Sequence, residues 1–287
     1  MNSIPKLRAS AGAEWLLGAF ALLKRAPLAL GTLGALFGAL AVAASRAMQT
    51  QSAVGLAMQL LLMLAGPLLI AGMIFAAREV DAGRSANPAH LLRGVQEGKV
   101  GRLLATLLPQ IGAGLLCMLL LVLMLGPAQL QQMLAIATQL EGQASPDPAL
   151  MQQLPLGRLG LWLLLALVIG VLASFFTFTA IPQLMFGETG ALAAMRQSFR
   201  ACLRNWPAML VFFVLMLLVA LALNMGVLLI AAIVRLFAGA AAMQIVAQLL
   251  LLAILMPIVT GAMYHAWKQL HADAAPALPP AATGFEA

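Results

Sequence analysis

The residues best placed to do chemistry are three arginines. Arg196, Arg200 and Arg204 recur at four-residue steps within Glu188–Pro207, ETGALAAMRQSFRACLRNWP, so they form a ridge along one side of a helix. Leu192, Met195, Phe199, Leu203 and Trp206 recur at steps of three and four and share another side. Pro207 closes the pattern, and an uninterrupted apolar run begins at Ala208. The chemistry on offer is electrostatic. A row of guanidinium groups at a bilayer surface attracts anionic headgroups, each basic residue contributing about 1 kcal/mol. A plain topology signal needs the same three charges and no ligand, so the residues alone leave both readings open.

A second pair of residues is set at matched depth. Pro67 and Pro257 each precede a methionine by six residues and a basic residue, Arg78 or Lys268, by eleven. At the rise of an α-helix both lie about 16 Å below those basic residues, near mid-bilayer. Matched breaks in repeated helices line the sites of some transporters, whereas isolated prolines only kink a membrane helix.

Enzymatic chemistry finds little to work with. All nine acids lie outside the apolar runs: Glu14, Glu79, Asp81, Glu97, Glu141, Asp147, Glu188, Asp273 and Glu286. A proton pump built on an intramembrane carboxylate is therefore not expected. His90, His265 and His271 show no ligand spacing, and the sequence has neither HExxH nor GxSxG. Gly94–Val100, GVQEGKV, is one residue short of a phosphate loop and lacks the hydroxyl after its lysine. The mixed-charge stretch Arg78–Arg84 reads as a solvated turn. Cys117 and Cys202 read as packing residues. No catalytic residue, cofactor or metal is expected, and the protein is read as a non-enzyme.

The elements that must position these residues follow from composition. The chain has 287 residues, 63% hydrophobic and 9% charged, far from the mix of a soluble domain. Six apolar runs can cross about 30 Å of hydrocarbon: residues 27–44, 53–77, 103–125, 159–186, 208–234 and 239–267. The expected fold is all-α, a polytopic helical membrane protein over residues 1–270 with amphipathic surface helices and a disordered tail at 271–287. The first run lies close enough to the N-terminus to compete as a secretory signal. Glu14 and the length of the run favour an uncleaved span. The connections are too short for a separate soluble domain.

The basic pI does not call for nucleic acid. Thirteen of the 16 lysines and arginines fall in the N-terminal segment, the 78–102 and 188–207 connections and Lys268. Arg46, Arg158 and Arg235 occupy the alternate connections. The positive-inside rule then places both termini in the cytoplasm, as six crossings also require. Trp15, Trp162, Trp206 and Trp267 fit aromatic belts at the interfaces. Gly34 and Gly38 form a GxxxG motif suited to close helix contact. The order of elements suggests three units of surface helix plus helical hairpin, at about 9–84, 86–187 and 188–270.

Ala194–Leu210, AMRQSFRACLRNWPAML, together with Ala76–Arg84, AAREVDAGR, resembles uncharacterised bacterial six-helix inner-membrane proteins of the YciC-like kind. The step Arg204-Asn205-Trp206 carries most of the likeness, and Lys24-Arg25-Ala26-Pro27 departs from it. The resemblance implies an architecture and an inner-membrane location, and no activity. Membrane lipids with anionic headgroups are the expected partners. The expected role is a non-enzymatic scaffold or lipid-interacting protein; a small-solute or lipid transporter using Pro67 and Pro257 is the alternative.

Overall fold

The computed structural model describes residues 5–49, 52–140 and 154–271. The 271–287 tail, apart from its first residue, and the middle of the 126–157 connection lie outside them. Every regular element among the described residues is helical. In chain order these are α1 (Ala11–Arg25), α2 (Pro27–Gln49), α3 (Ala53–Asp81), a 3₁₀ turn (Pro88–Leu92), α4 (Arg93–Gln96), α5 (Val100–Leu104) and α6 (Leu107–Leu140). After them come α7 (Leu156–Phe175), α8 (Ala180–Phe186), α9 (Ala191–Arg204) and α10 (Trp206–Leu270). Five helical stretches are long and apolar enough to cross a membrane: Pro27–Gln49, Ala53–Asp81, Val100–Ile136, Leu156–Phe186 and Trp206–Leu270. Their leucines stay largely uncovered. Leu115, Leu119 and Leu123 on α6 and Leu217, Leu221 and Leu229 on α10 are all more than half exposed. So much apolar surface is stable only against lipid.

The 65 residues of α10 are two helices. Gly239 has φ 80° and ψ 179°, a backbone region open essentially to glycine alone. The Ala208 carbonyl lies against Gly12 of α1, and His265 lies against Gly18 of the same helix. A straight helix would hold residues 208 and 265 about 85 Å apart, yet both touch the 15-residue α1. The chain therefore doubles back at Gly239. The sequence places this turn over 235–238; instead helix continues through Arg235–Ala238 and one glycine makes the reversal. Gly126, with φ 72° and ψ 164°, breaks α6 in the same conformation just before Pro127.

Two other predicted elements are divided. The 159–186 run breaks at residues 176–179, because Pro182 has no N–H to give and its ring crowds the carbonyl of Phe178. Pro109 stands in the same relation to the interruption between α5 and α6. The surface helix expected at the start of the 86–187 unit is likewise three short pieces. Gly98, with φ 67°, turns the chain between α4 and α5. Asn87 N–H donates to His90 Nδ1 at 3.4 Å, the reciprocal bond of a capping box at the start of the 3₁₀ turn. The second of the three expected units has no continuous surface helix.

The fold comprises two compact units. The smaller, residues 108–174, is an antiparallel pair: Trp162 Nε1 donates to the Cys117 carbonyl at 2.9 Å, and Arg158 donates to Gln129 Oε1 at 3.0 Å. The larger is formed by the chain on either side of that pair. Its core is the cradle of α1 between the two arms of α10. Trp15 is fully buried there, with its ring 6.1 Å from Phe178 and 6.2 Å from Phe212. Its Nε1 donates to Gln269 Oε1 at 2.7 Å. Trp15 and the buried Trp267 are thus core residues, not members of an interfacial belt; Trp206 is exposed as the belt reading requires. The Gly34–Gly38 motif meets α10 directly: a Cβ on Gly34 would lie 2.6 Å from the Leu252 carbonyl oxygen.

Candidate membrane-interface site

Helix α9 carries the arginine ridge, and its three faces have three different surroundings. Ala194, Met195, Ser198, Ala201 and Cys202 are buried and form the side packed on the protein. Small side chains let the helix approach closely. Ser198 then repairs the break between α7 and α8: its Oγ donates to the Phe175 carbonyl at 2.7 Å and accepts from Thr179 N–H at 3.0 Å. Two backbone groups orphaned by that break are satisfied in a buried place, where leaving either unpaired would cost about 1–3 kcal/mol.

The predicted apolar row does not pack as a unit. Met195 is buried and Phe199 half-buried, stacked on Phe176 at 4.4 Å. Leu192, Leu203 and Trp206 are 78%, 51% and 59% exposed. Sequence periodicity marks the helix correctly, yet cannot separate leucines that face protein from leucines that face lipid. Beyond that row lie Arg196, Arg200 and Arg204, all exposed. None has a hydrogen bond or ion pair among the described residues.

Neighbouring cations differ in this respect. Arg84 bonds Glu79 through Nε at 2.6 Å and an Nη at 2.7 Å, which raises its already high pKa. Arg93 meets Glu97 at 2.8 Å and Arg102 meets Glu188 at 3.0 Å. The buried Lys99 donates to the Met185 carbonyl at 2.6 Å and lies 3.0 Å from Glu97. Acids in this part of the fold are thus taken by other cations, and the ridge keeps its charge.

The C-cap of α9 holds the N-terminal segment. Asn205, 1% exposed, donates through Nδ2 to the Pro5 carbonyl at 3.1 Å and accepts from Leu7 N–H at 2.7 Å. Arg204-Asn205-Trp206 therefore combines an exposed cation, a buried tether and an exposed aromatic ring.

The ends of α3 and α10 meet in a junction that the sequence reading missed. Asp81 accepts from Tyr264 Oη at 2.9 Å and from Lys268 Nζ at 2.7 Å, with Arg25 at 3.8 Å. The stretch 78–84 is therefore not a merely solvated turn; Asp81 bonds across three helices. The Arg78 guanidinium lies 4.7 Å over the Phe186 ring, which in turn lies 5.0 Å from Trp267. His90 sits edge-on to Phe75 at 5.2 Å, and burial holds its imidazole below the ordinary value, in keeping with Nδ1 acting as an acceptor. Burial lowers His271 in the same way.

Pro67 and Pro257 are buried inside α3 and α10, and helix continues through both. Neither interrupts its helix. Thr260 Oγ1 donates to the Met256 carbonyl at 2.8 Å beside Pro257. Among the described residues no three histidine, cysteine, aspartate or glutamate side chains gather to hold a metal ion.

Cys202 is fully buried, and burial pushes its thiol up to about 12. It stays protonated at physiological pH, and thiolate is the reactive form. In a Cys117→Ala background, maleimide at pH 8 is expected to leave the folded protein unlabelled and to label it once after denaturation. Rapid labelling of the folded protein would show that α9 lifts off the fold. No protein-family model, curated protein or solved structure matches the chain.

Proposed function

We propose that the protein is a six-span inner-membrane protein with both termini in the cytoplasm, of the architecture that the YciC-like resemblance implies. Its role is that of a non-enzymatic scaffold gripping anionic lipid through Arg196, Arg200 and Arg204. One observation carries the reading: the three faces of α9. The buried small-residue face fixes the helix to the fold, and the exposed Leu192, Leu203 and Trp206 require an apolar medium. A helix so held lies in the membrane surface with its arginines at headgroup level. The reversal at Gly239 supports six spans, because it divides the fifth apolar stretch into two segments each long enough to cross. Unbroken helices at Pro67 and Pro257 give the transport alternative no comparable support.

Native mass spectrometry of gently purified protein tests the reading. The wild type should retain phosphatidylglycerol or cardiolipin, and the triple variant Arg196→Gln, Arg200→Gln, Arg204→Gln should lose most of it. At about 1 kcal/mol per residue, a loss of roughly a hundredfold in affinity is expected. Equal retention by both proteins would reduce the ridge to a topology signal.

A further inference from the structure

At the end of α2 remote from α1, a cleft of about 440 Å³ opens between α2 and the two arms of α10. Its polar lining comes from Ser45, Arg46, Gln49, Asn224, Gln244 and Gln248. Arg46 is held by its surroundings: Nη2 donates to the Ala241 carbonyl at 2.9 Å and to Gln244 Oε1 at 3.3 Å, and Nη1 to Gln49 Oε1 at 3.3 Å. Those are neutral partners. Neither α2 nor α10 contains a single acidic residue, and the first acid of α3 is Glu79, near its opposite end. A guanidinium is thus oriented toward a cleft whose lining, among the described residues, supplies no counter-charge.

The carboxamides add a second, independent indication. Asn224 and Gln248 have no hydrogen-bond partner among the described residues, though both lie in a helical stretch apolar enough to cross a membrane. Asn224 is eleven residues before Arg235, about 16 Å along the helix and so at hydrocarbon depth. Polar groups at that depth need a partner, and an unsatisfied amide there costs several kcal/mol. Asn224, Gln248 and Arg46 face the same cleft. One positive charge, carboxamide donors and no acid together describe a receptor for a single phosphate-class anion. The volume suits such a group with its glycerol or ester flank.

We infer that this cleft binds one phosphate-bearing ligand, with Arg46 on the phosphate and Asn224 and Gln248 donating to its neighbouring oxygens. A phospholipid headgroup and free phosphate share that chemistry. The proposal is independent of the α9 ridge; only its leaflet, the outer one, rests on the topology proposed above.

Purified protein in detergent is titrated with phosphatidylglycerol and, separately, with inorganic phosphate, and bound stoichiometry is read by native mass spectrometry. Wild type is compared with Arg46→Met, Arg46→Lys and Asn224→Leu. Beyond the lipid held by the α9 ridge, one further saturable phosphatidylglycerol per chain is expected, weakened about tenfold by Arg46→Met and about fivefold by Asn224→Leu, with Arg46→Lys in between. Saturable phosphate binding with the same variant order and no preferred lipid would sustain the anion site and identify its source as aqueous. Asn224→Leu puts an apolar group into an apolar span, so it keeps the test valid should Arg46→Met fold poorly. Binding unchanged in Asn224→Leu, or no saturable binding of either probe, would overturn the proposal. The Arg196, Arg200, Arg204 triple variant should keep this single site, which separates a failure here from a failure at α9.

Discussion

Replacing Asp81 by alanine is expected to lower the unfolding temperature by about 5 °C, the effect of roughly 2 kcal/mol in a chain of this size. Asp81 is the one acceptor shared by Tyr264, Lys268 and Arg25, and its side chain is 13% exposed. The three partners do not count equally. Lys268 and Arg25 are 44% and 61% exposed, so solvent screens their share of the attraction. Tyr264 is 2% exposed, and its hydroxyl would be stranded without Asp81. Most of the loss should therefore come from the hydrogen bond that Tyr264 donates to the carboxylate. Asp81→Asn, which keeps an acceptor oxygen, should recover about half of it. Tyr264→Phe should cost about 1 kcal/mol, and adding it to Asp81→Ala should cost little more, because both remove the same bond. Thermal unfolding followed by intrinsic fluorescence in detergent reads all four proteins. Full additivity, or an unchanged midpoint in Asp81→Ala, would show that the junction does not hold α3 to α10.

This junction also marks the boundary of what the sequence discloses. Tyr264 and Lys268 lie 183 and 187 residues from Asp81, and no local pattern announces a bond over that separation. Local sequence around Asp81 mixes signs within seven residues, which is equally the composition of a solvated turn. One faint signal exists. Pro67 and Arg78 on α3 repeat the spacing of Pro257 and Lys268 on α10, and the basic ends of those helices do meet beside Phe186. The equal spacing concerns how two helices end together rather than how they break.

Properties decided by run length and by single residues were legible. Apolar runs located the membrane-length helices, because a helix in hydrocarbon must satisfy its own backbone and so writes its length in composition. Glycine marked the close approach at Gly34, whereas the turn, expected over 235–238, falls on Gly239. Properties decided by packing were not. Trp15 reads as an interfacial aromatic, yet the two arms of α10 enclose it; only the reversal at Gly239 brings both arms to α1. The leucines of α9 divide between protein and lipid according to neighbours absent from the local pattern. Arg46 enters the sequence reading only as a minority charge, although Ala241 and Gln244, nearly two hundred residues on, orient it into a cleft.

The cradle around α1 leads to the largest expected effect. A Cβ on Gly12 would run into the Ala208 carbonyl oxygen and lie 2.7 Å from the Phe212 nitrogen. Both obstacles are backbone, and neither can rotate away. Gly12→Leu must push α1 off the first arm of α10, and Trp15, Leu16 and Ala19 lose their packing with it. A cost of about 3 kcal/mol or more is expected, at the upper end of what overpacking brings. Gly12→Ala carries the same clash with less bulk behind it and should fall between. Gly66→Leu is the control, since nothing lies within 4 Å of a Cβ there, and a leucine facing lipid should leave stability unchanged. Displacement of α1 has its own signature. Lys24 and Arg25 at its end are exposed, but Arg25 also reaches Asp81, so a detached α1 should become sensitive to trypsin at these residues well below the unfolding temperature. Wild-type trypsin resistance in Gly12→Leu, with an unchanged midpoint, would mean that α1 does not run where the Gly12–Ala208 contact puts it. It would also remove the main geometric ground for folding α10 back at Gly239, since α1 is the ruler against which both arms are measured.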